Sequence, residues 1–248
     1  MIRIISLFCF LLFINELFAQ ETIFEQKTTV FSEEKSGGIG MHTSGFQVTF
    51  RYGKYLTGFT KRIYEFEIAN IKHSKEIRSV NPFESNTRGY VFGKLNSLYV
   101  LRPSIGFQKV FIPKQSIRGV SITYIAQVGP SIGIAKPVYL DIIEREPRTG
   151  TTAIVKKKYN PEEHDQSDIY GRASFVNGFG DLKLHPGVFA KVGLHFDYAN
   201  DREAVKSIEV GVQLDAYFSE IPLLAFTTNR AIYPTIYLAM FFGTRETK

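Results

Sequence analysis

The sequence predicts an all-β protein, an eight-stranded antiparallel transmembrane β-barrel with long extracellular loops. Three features predict this fold. Apolar and polar residues alternate along several segments, the connections between these segments alternate in length, and an apolar stretch with the form of an export signal precedes them. No later stretch reaches the roughly 18 consecutive apolar residues that a transmembrane helix needs.

Residues 1–20 have the layout of a secretory signal peptide. Arg3 precedes an apolar run at positions 4–14, and a small residue at position 19 ends the segment. The run is too short to span a membrane, so we expect cleavage after it and a mature domain over residues 21–248. The single cysteine, Cys9, lies in this signal, which predicts neither a disulfide nor a thiolate metal site.

Strict alternation of apolar and polar side chains predicts the strands, because successive side chains of a strand point to opposite faces. The strictly alternating segments are 46–53, 62–70, 119–135, 187–199 and 208–218. Proline interrupts weaker alternation at 90–110 and 232–243, at positions that a strand tolerates. The least regular segment, 22–32, would be the first of about eight strands.

The connections between these strands alternate in length, as they do in outer-membrane barrels. The short connections are near Thr57, at 112–118 and at 199–203. The long connections are 32–44, 73–88, about 144–185 and 219–231. If both termini lie in the periplasm, every short connection falls on the periplasmic side and every long loop faces outside.

The direction of the apolar face distinguishes a membrane barrel from a soluble, lipocalin-like lipid carrier. A carrier would turn this face inward, but eight strands enclose room only for side chains or one small ligand. Aromatic residues such as Phe50, Tyr64 and Phe196 would overfill that interior. We therefore expect the polar face to line the interior and lipid to cover the apolar face. This orientation predicts the cell outer membrane as the location.

Composition and the chain end indicate the general partners. The formal net charge of +6 is spread among acidic residues on an exported chain. It therefore predicts contact with outer-membrane lipid and lipopolysaccharide rather than with nucleic acid. Insertion would require the barrel-assembly machinery, and the aromatic-rich segment YPTIYLAMFF (233–242) is of the type that it binds, although GTRETK follows. No cofactor is predicted.

The inward face predicts a polar network inside the barrel. Opposite charges occur there in comparable numbers, and each would be costly to bury without a partner. We expect them to pair across the narrow interior and close it, while a proton or ion pathway is the alternative. The predicted network consists of Arg51, Glu65, Glu67, Lys94, Gln127, Lys191, His195, Glu209, Gln213 and Asp215, with Gln47 and Asn96 beside it.

Several stretches resemble a family of small, uncharacterised Bacteroidota outer-membrane β-barrel proteins. They are HTSGFQVTFRYGK (42–54), KHSKEIRSVNPF (72–83), YVFGKLNSLYVLR (90–102), GPSIGIAKPVYLDII (129–143), EVGVQLDAY (209–217) and IPLLAF (221–226). The resemblance covers most of the mature chain and implies a barrel in the outer membrane. It also implies a partnership with larger envelope machines for export, assembly or nutrient uptake.

Two loops contain candidate chemical groups. His42 and Ser44 lie in a glycine-rich segment, where a histidine base and a hydroxyl nucleophile could serve a lipid-modifying enzyme, but no orienting acid is identifiable. The 144–185 loop contains a basic cluster at 156–159 and acidic residues at 162–168 that could bind a hard cation. A solvated, internally paired loop is the ordinary interpretation of such charges.

These observations favour a non-enzymatic outer-membrane barrel. We expect it to be an accessory or structural subunit that docks to another envelope protein through its outer loops. An outer-leaflet lipid-modifying enzyme that uses His42 and Ser44 is the alternative, and a soluble lipid carrier is the third hypothesis.

Overall fold

In the computed structural model, the chain folds into a closed barrel of eight antiparallel strands. The structure describes residues 31–81, 88–115, 119–145 and 152–247. The predicted signal peptide and most of the tentative strand 22–32 therefore lie outside the described residues. No helix in the described part of the chain is long and apolar enough to cross a membrane.

The barrel strands follow the order β1-β13-β12-β11-β7-β6-β3-β2, and β1 closes the barrel against β2. They are β1 (Phe31–His42), β2 (Gly45–Tyr55), β3 (Thr60–Ile71), β6 (Asn96–Ile112), β7 (Ser121–Pro137), β11 (Lys183–Asp197), β12 (Ala204–Ile221) and β13 (Arg230–Thr247). The five other strands are β4 (Arg78–Ser79), β5 (Tyr90–Val91), β8 (Tyr139–Arg145), β9 (Thr152–Lys158) and β10 (Ile169–Arg172).

The two ends of the barrel differ. The end that contains the connections 72–95, 138–182 and 222–229 is called the loop end. The opposite end contains Phe31, Thr247 and three shorter turns, and is called the terminal end. The predicted short connections at 112–118 and 199–203 both lie at the terminal end.

The two faces of the barrel wall have opposite chemistry, because side chains of a strand alternate between faces. In the middle of the wall, charged and amide side chains such as Arg51 and Gln127 point inward and are buried. Apolar side chains point outward, and Phe46, Phe50, Val128, Val192, Ile236 and Phe242 are each between 51 and 62% exposed. The lipocalin-like interpretation, which places the apolar face inside, is therefore wrong.

The first barrel strand differs from the prediction. Residues 32–44 were expected to form a long outer loop, but almost all of them belong to β1, and Thr43 and Ser44 form a tight turn to β2. The glycines of this segment hide the alternation because they have no side chain. Gly38 and Gly40 are needed on the inner face: a Cβ on Gly38 would lie 2.7 Å from the Phe241 ring.

The predicted 144–185 loop is folded at the loop end. Strands β8, β9 and β10 form a three-stranded sheet in the order β10-β8-β9, here called the platform. A short 3₁₀ turn, Phe179–Asp181, then leads into β11. The platform has its own small apolar core, made of Tyr90, Leu140, Ile142, Tyr159 and Ile169, with Phe92, Leu95 and Val138 packed against it.

The rim at the loop end is uneven because the β1–β2 hairpin is short. Pairing between β1 and β13 ends at His42 with Tyr237, followed by a hydrogen bond from the Thr43 N–H to the Ile236 carbonyl. Beyond this point β13 pairs with β12 alone, through Pro234 with Leu214 and onward to Arg230. Above the hairpin, one edge of β13 therefore has no neighbouring strand from the part of the chain that the structure describes.

Candidate functional site

The middle of the barrel is filled by buried, oppositely charged side chains, here called the central ionic layer. It consists of Arg51, Arg102, Lys191, Glu65, Glu67, Glu209 and Asp215. Three cations thus face four carboxylates in a space that water does not reach, since all seven side chains are almost completely buried. Charges buried this deeply must be paired, because unpaired each would cost several kcal/mol.

Arg51 and Lys191 organise the half of this layer nearer the terminal end. Arg51 contacts Glu65 at 2.5 Å and Glu209 at 2.8 Å, and its guanidinium lies 4.0 Å from the centroid of the Phe241 ring. Lys191 lies 2.9 Å from Glu65 and 3.3 Å from Glu209. Each carboxylate is thus shared between two cations, which couples strands β2, β3, β11 and β12 across the interior.

Arg102 organises the other half. It donates two hydrogen bonds to Asp215, at 2.9 and 2.6 Å, and also pairs with Glu67. A two-point contact of this kind holds the guanidinium in one orientation. The Ser131 hydroxyl donates to Asp215 at 2.7 Å, which supplies a further partner for this carboxylate.

A second charged cluster, the terminal-end layer, was not predicted from the sequence. It consists of Glu34, Lys61, Lys114, Asp197 and Arg245. Arg245 contacts Glu34 at 3.0 Å, pairs with Asp197, and donates to the backbone carbonyls of residues 202 and 204. Because Arg245 is on β13 and Glu34 on β1, the cluster joins the first and last strands of the barrel.

The loop end of the interior is closed by an apolar cluster, here called the loop-end seal. Its members are Ile71, Leu98, Val100, Ala135, Tyr217, Ile221, Leu223 and Tyr233. The interior therefore has three layers: the loop-end seal, the central ionic layer and the terminal-end layer. Eight strands enclose only enough space for such side chains, so this interior is a packed core.

Most of the predicted interior residues lie together. Glu65, Glu67, Gln127, Lys191, His195, Glu209, Gln213, Asp215 and Arg51 are all buried inside the barrel. Gln127 donates to Glu65 at 3.0 Å, His195 contacts Glu209 at 3.1 Å, and Gln213 donates to Gln47 at 3.3 Å.

Lys94 is the exception among the predicted interior residues. It lies before β6, in the loop-end connection, where its ammonium contacts Glu76 at 2.6 Å. The preceding glycine, Gly93, has a φ of 77°, which turns the backbone and ends the alternation. The strand begins only at Asn96, so the predicted inward position of Lys94 is wrong.

Two important interior residues were missed. Arg102 is completely buried. It lies an even number of residues after Asn96, whose side chain also points inward, so the alternation along β6 predicts its inward position despite the following proline. Arg245 lies in the tail that was set apart from the last strand, whereas β13 in fact continues to Thr247.

His42 and Ser44 do not form a base–nucleophile pair. The His42 ring is buried, and its Nδ1 accepts the backbone N–H of Ser44 at 3.3 Å rather than the serine hydroxyl. The Ser44 carbonyl accepts the N–H of Lys72 at 2.8 Å. These bonds stabilise the tight turn between β1 and β2, a structural role that accounts for both residues.

The acidic segment of the platform also has local structural contacts. The Nδ1 of His164 accepts the N–H of Asn160 at 3.1 Å, and Asp168 accepts the N–H of Asp165 at 3.2 Å. Within the described residues, no group of three or more His, Cys, Asp or Glu side chains is placed to hold a metal ion. Burial raises the pKa of the neighbouring Tyr159 hydroxyl, which packs in the platform core.

Comparison with known proteins gives only distant similarity. No protein-family model and no curated protein matches the chain. Among solved structures, Neisserial surface protein A (NspA) has a TM-score of 0.36 and 9% identity, over 88% of this chain and 97% of its own. Ail, the attachment invasion locus protein of Yersinia pestis, has a TM-score of 0.37 and 8% identity, over 87% and 99%. At this distance, the strand pairing of the chain itself supports the fold: a closed, eight-stranded antiparallel barrel, apolar outside and charged inside.

Proposed function

We propose that this protein is a non-enzymatic β-barrel of the outer membrane that docks to another envelope protein through the platform. In this proposal residues 1–20 are a cleaved signal, the loop end faces the outside, and the chain is an accessory or structural subunit. Membership of the Bacteroidota family that the sequence resembles is part of the same proposal.

The outward surface supports membrane insertion. Large apolar side chains are exposed on every side of the barrel wall. Soluble monomers rarely expose a contiguous apolar patch of more than a few hundred Å². Lipid would cover this surface, and the closed barrel satisfies its backbone hydrogen bonds internally, as a spanning structure must. Carbonate extraction tests insertion: we expect the protein to stay with the membrane, and release into the supernatant would refute it.

The packed interior argues against a channel or transporter. The loop-end seal and the two charged layers fill the space between the strands. A pathway for ions would need the central ion pairs to separate, and breaking such buried pairs costs about 3–5 kcal/mol. We therefore place the activity of the protein on its surface rather than in its interior.

The free edge of β9 is the observation that supports docking. Within the described residues this strand pairs only with β8, so one row of its backbone N–H and C=O groups has no neighbouring strand there. All its residues except the half-buried Val155 are exposed, including Ile154 at 55%. An exposed strand edge is a template for an added strand from a partner.

The charge of β9 indicates the partner's chemistry. Lys156, Lys157 and Lys158 follow one another, and only Lys157 has an ion pair among the described residues, with Glu144. Consecutive lysines discourage pairing between two copies of the same edge, because like charges would face each other. They favour an extended acidic segment of another protein, which would neutralise them.

Co-purification tests the docking proposal. We would extract tagged protein in mild detergent and measure its assemblies by native mass spectrometry. The wild type should carry a stoichiometric partner, and the double variant Lys156→Glu/Lys158→Glu should lose it. Replacing residues 150–180 by a short linker should have the same effect if insertion is preserved.

Lys206→Glu is the matched control, because this lysine is equally exposed but lies at the terminal end. It should keep the partner. A wild-type protein that is always found alone would overturn the docking proposal, and so would partner binding that survives the double variant.

A further inference from the structure

Strands β2 and β3 present a graded set of side chains to the outside. Three outward cross-strand pairs follow one another from the terminal end: Lys54 with Arg62, Tyr52 with Tyr64, and Phe50 with Phe66. The tyrosine ring centroids are 6.3 Å apart. The surface thus changes from cationic to amphipathic to apolar within a few residues, which is the order of polarity from a phospholipid headgroup to its acyl chains.

The cationic pair has no ion pair of its own among the described residues. Lys54 and Arg62 are both exposed and directly opposite each other, an arrangement in which like charges destabilise a sheet. None of the ion pairs among the described residues involves either one. Two carboxylates lie on the neighbouring strands: Glu246 contacts Lys35 at 2.9 Å, and Glu33, opposite Lys54 on β1, contacts the Tyr52 hydroxyl. Together they leave the two cations with a net positive charge. An anion between the two cations would replace repulsion with attraction.

An apolar groove adjoins this pair. Gly37 faces outward between Phe50 and Phe242, its partners on the neighbouring strands. A Cβ at Gly37 would meet nothing closer than the Thr49 carbonyl at 4.0 Å, so the floor between the two rings is open. The groove has a volume of about 640 Å³ and is lined mainly by Phe50, Tyr52, Tyr64, Phe66 and Phe242.

We propose that this region binds an anionic glycerophospholipid. Its phosphate would lie between Lys54 and Arg62, and one acyl chain would lie in the groove over Gly37. A net negative headgroup fits best, because the ammonium of a zwitterionic headgroup would be repelled by the two cations. The proposal rests on the membrane insertion proposed above and is independent of docking at the platform.

Lipid titration followed by native mass spectrometry tests this site on the full-length mature protein. We would add phosphatidylglycerol or phosphatidylcholine to delipidated protein in mild detergent. The wild type should bind one phosphatidylglycerol in preference to phosphatidylcholine. Lys54→Ser/Arg62→Ser should weaken phosphatidylglycerol binding about thirtyfold, the value for two cations beside an anionic lipid surface, and remove the preference.

Gly37→Leu tests the groove separately. It should reduce binding of both lipids, because the side chain would occupy the acyl-chain position. The control Lys206→Ser removes an exposed lysine at the same end of the barrel and should leave the preference unchanged. All these side chains face outward, and heat-dependent mobility in detergent gels verifies that each variant folds.

Three results would overturn the lipid site. These are an unchanged preference in the double variant, an equal loss in the Lys206→Ser control, or a second copy of the chain rather than lipid in the groove. Carbonate extraction distinguishes a failure of the lipid-site proposal from a failure of the proposed membrane insertion. Protein that stays in the membrane but has no lipid preference refutes only the lipid site.

Discussion

The central ionic layer and the terminal-end layer use the same chemistry at different depths. Both pair lysine and arginine with carboxylates across the barrel. The Lys191 side chain is completely buried and contacts three carboxylates that are equally buried, whereas the Arg245 side chain keeps 11% exposure. We expect the depth of each charge to determine how strongly the stability of the fold depends on it, because the cost of an unpaired charge rises with burial.

The largest effect is expected from Lys191→Met. Methionine has a similar volume, but it leaves three buried carboxylates with one cation fewer. The free energy of unfolding should fall by about 3–5 kcal/mol, the cost of breaking a buried ion pair. Urea unfolding in lipid vesicles measures this change. Adding Glu65→Gln should restore part of the stability, and a loss as small as that of Arg245→Met would contradict the depth argument.

Arg245→Met should have a smaller effect. Water can reach the carboxylates of Glu34 and Asp197 once the guanidinium is gone, and Glu34 keeps its contact with Lys61. We expect a loss of about 1.5–3 kcal/mol, as for hydrogen bonds to charged groups. The same urea measurement compares the two variants directly. A loss of unfolding free energy equal to that of Lys191→Met would show that water is excluded equally from the two layers.

Two adjacent glycines of β1, Gly38 and Gly37, lie on the inner and outer faces of the barrel wall. Gly38→Ala would place a methyl group against the Phe241 ring and the Met240 carbonyl, and should cost about 1–3 kcal/mol. Gly37→Ala points into open space and should cause no measurable loss. Unfolding midpoints in urea test both variants. Equal effects would mean that the faces of β1 are assigned incorrectly.

The smallest effect is expected at the platform surface. Lys157 and Glu144 form an exposed ion pair, and solvent screens such pairs. The hydrogen bond and charge of Glu144 also raise the pKa of Lys157 above its ordinary value. Lys157→Ala should leave the thermal midpoint of the folded protein unchanged, and a clear decrease would show that the platform edge depends on this pair.

Alternation predicted most of the barrel because burial follows it residue by residue. The interior positions of Glu65, Glu67 and Glu209 follow from the apolar residues on either side of each. The same alternation places Arg102 inside the barrel, although Pro103 interrupts the apolar face of its strand. The alternation of inward and outward positions along this strand continues through the proline.

Other features depend on contacts between residues that are distant in the sequence, which local alternation does not reveal. The strand β1 differs from the predicted loop because three of its residues are glycines, which hide the alternation. The need for a small residue at Gly38 and Gly40 follows only from Phe241 and Ala239, which lie opposite them. The platform is built from short strands whose core includes Tyr90, a residue far from β8 and β9 in the chain. Lys94 was misplaced because a left-handed glycine ended the alternation that its neighbours follow.

Pro234 gives the uneven rim a further consequence. The Ile236 carbonyl points toward β1, where it accepts the Thr43 N–H. Backbone groups of every second residue in a strand point to the same side, so those of Pro234 point to the edge of β13 that pairs with no described strand. Proline has no N–H, so it interrupts the row of donors that a foreign strand would need. Pro234 therefore makes this edge of β13 a poorer template for an added strand from another chain.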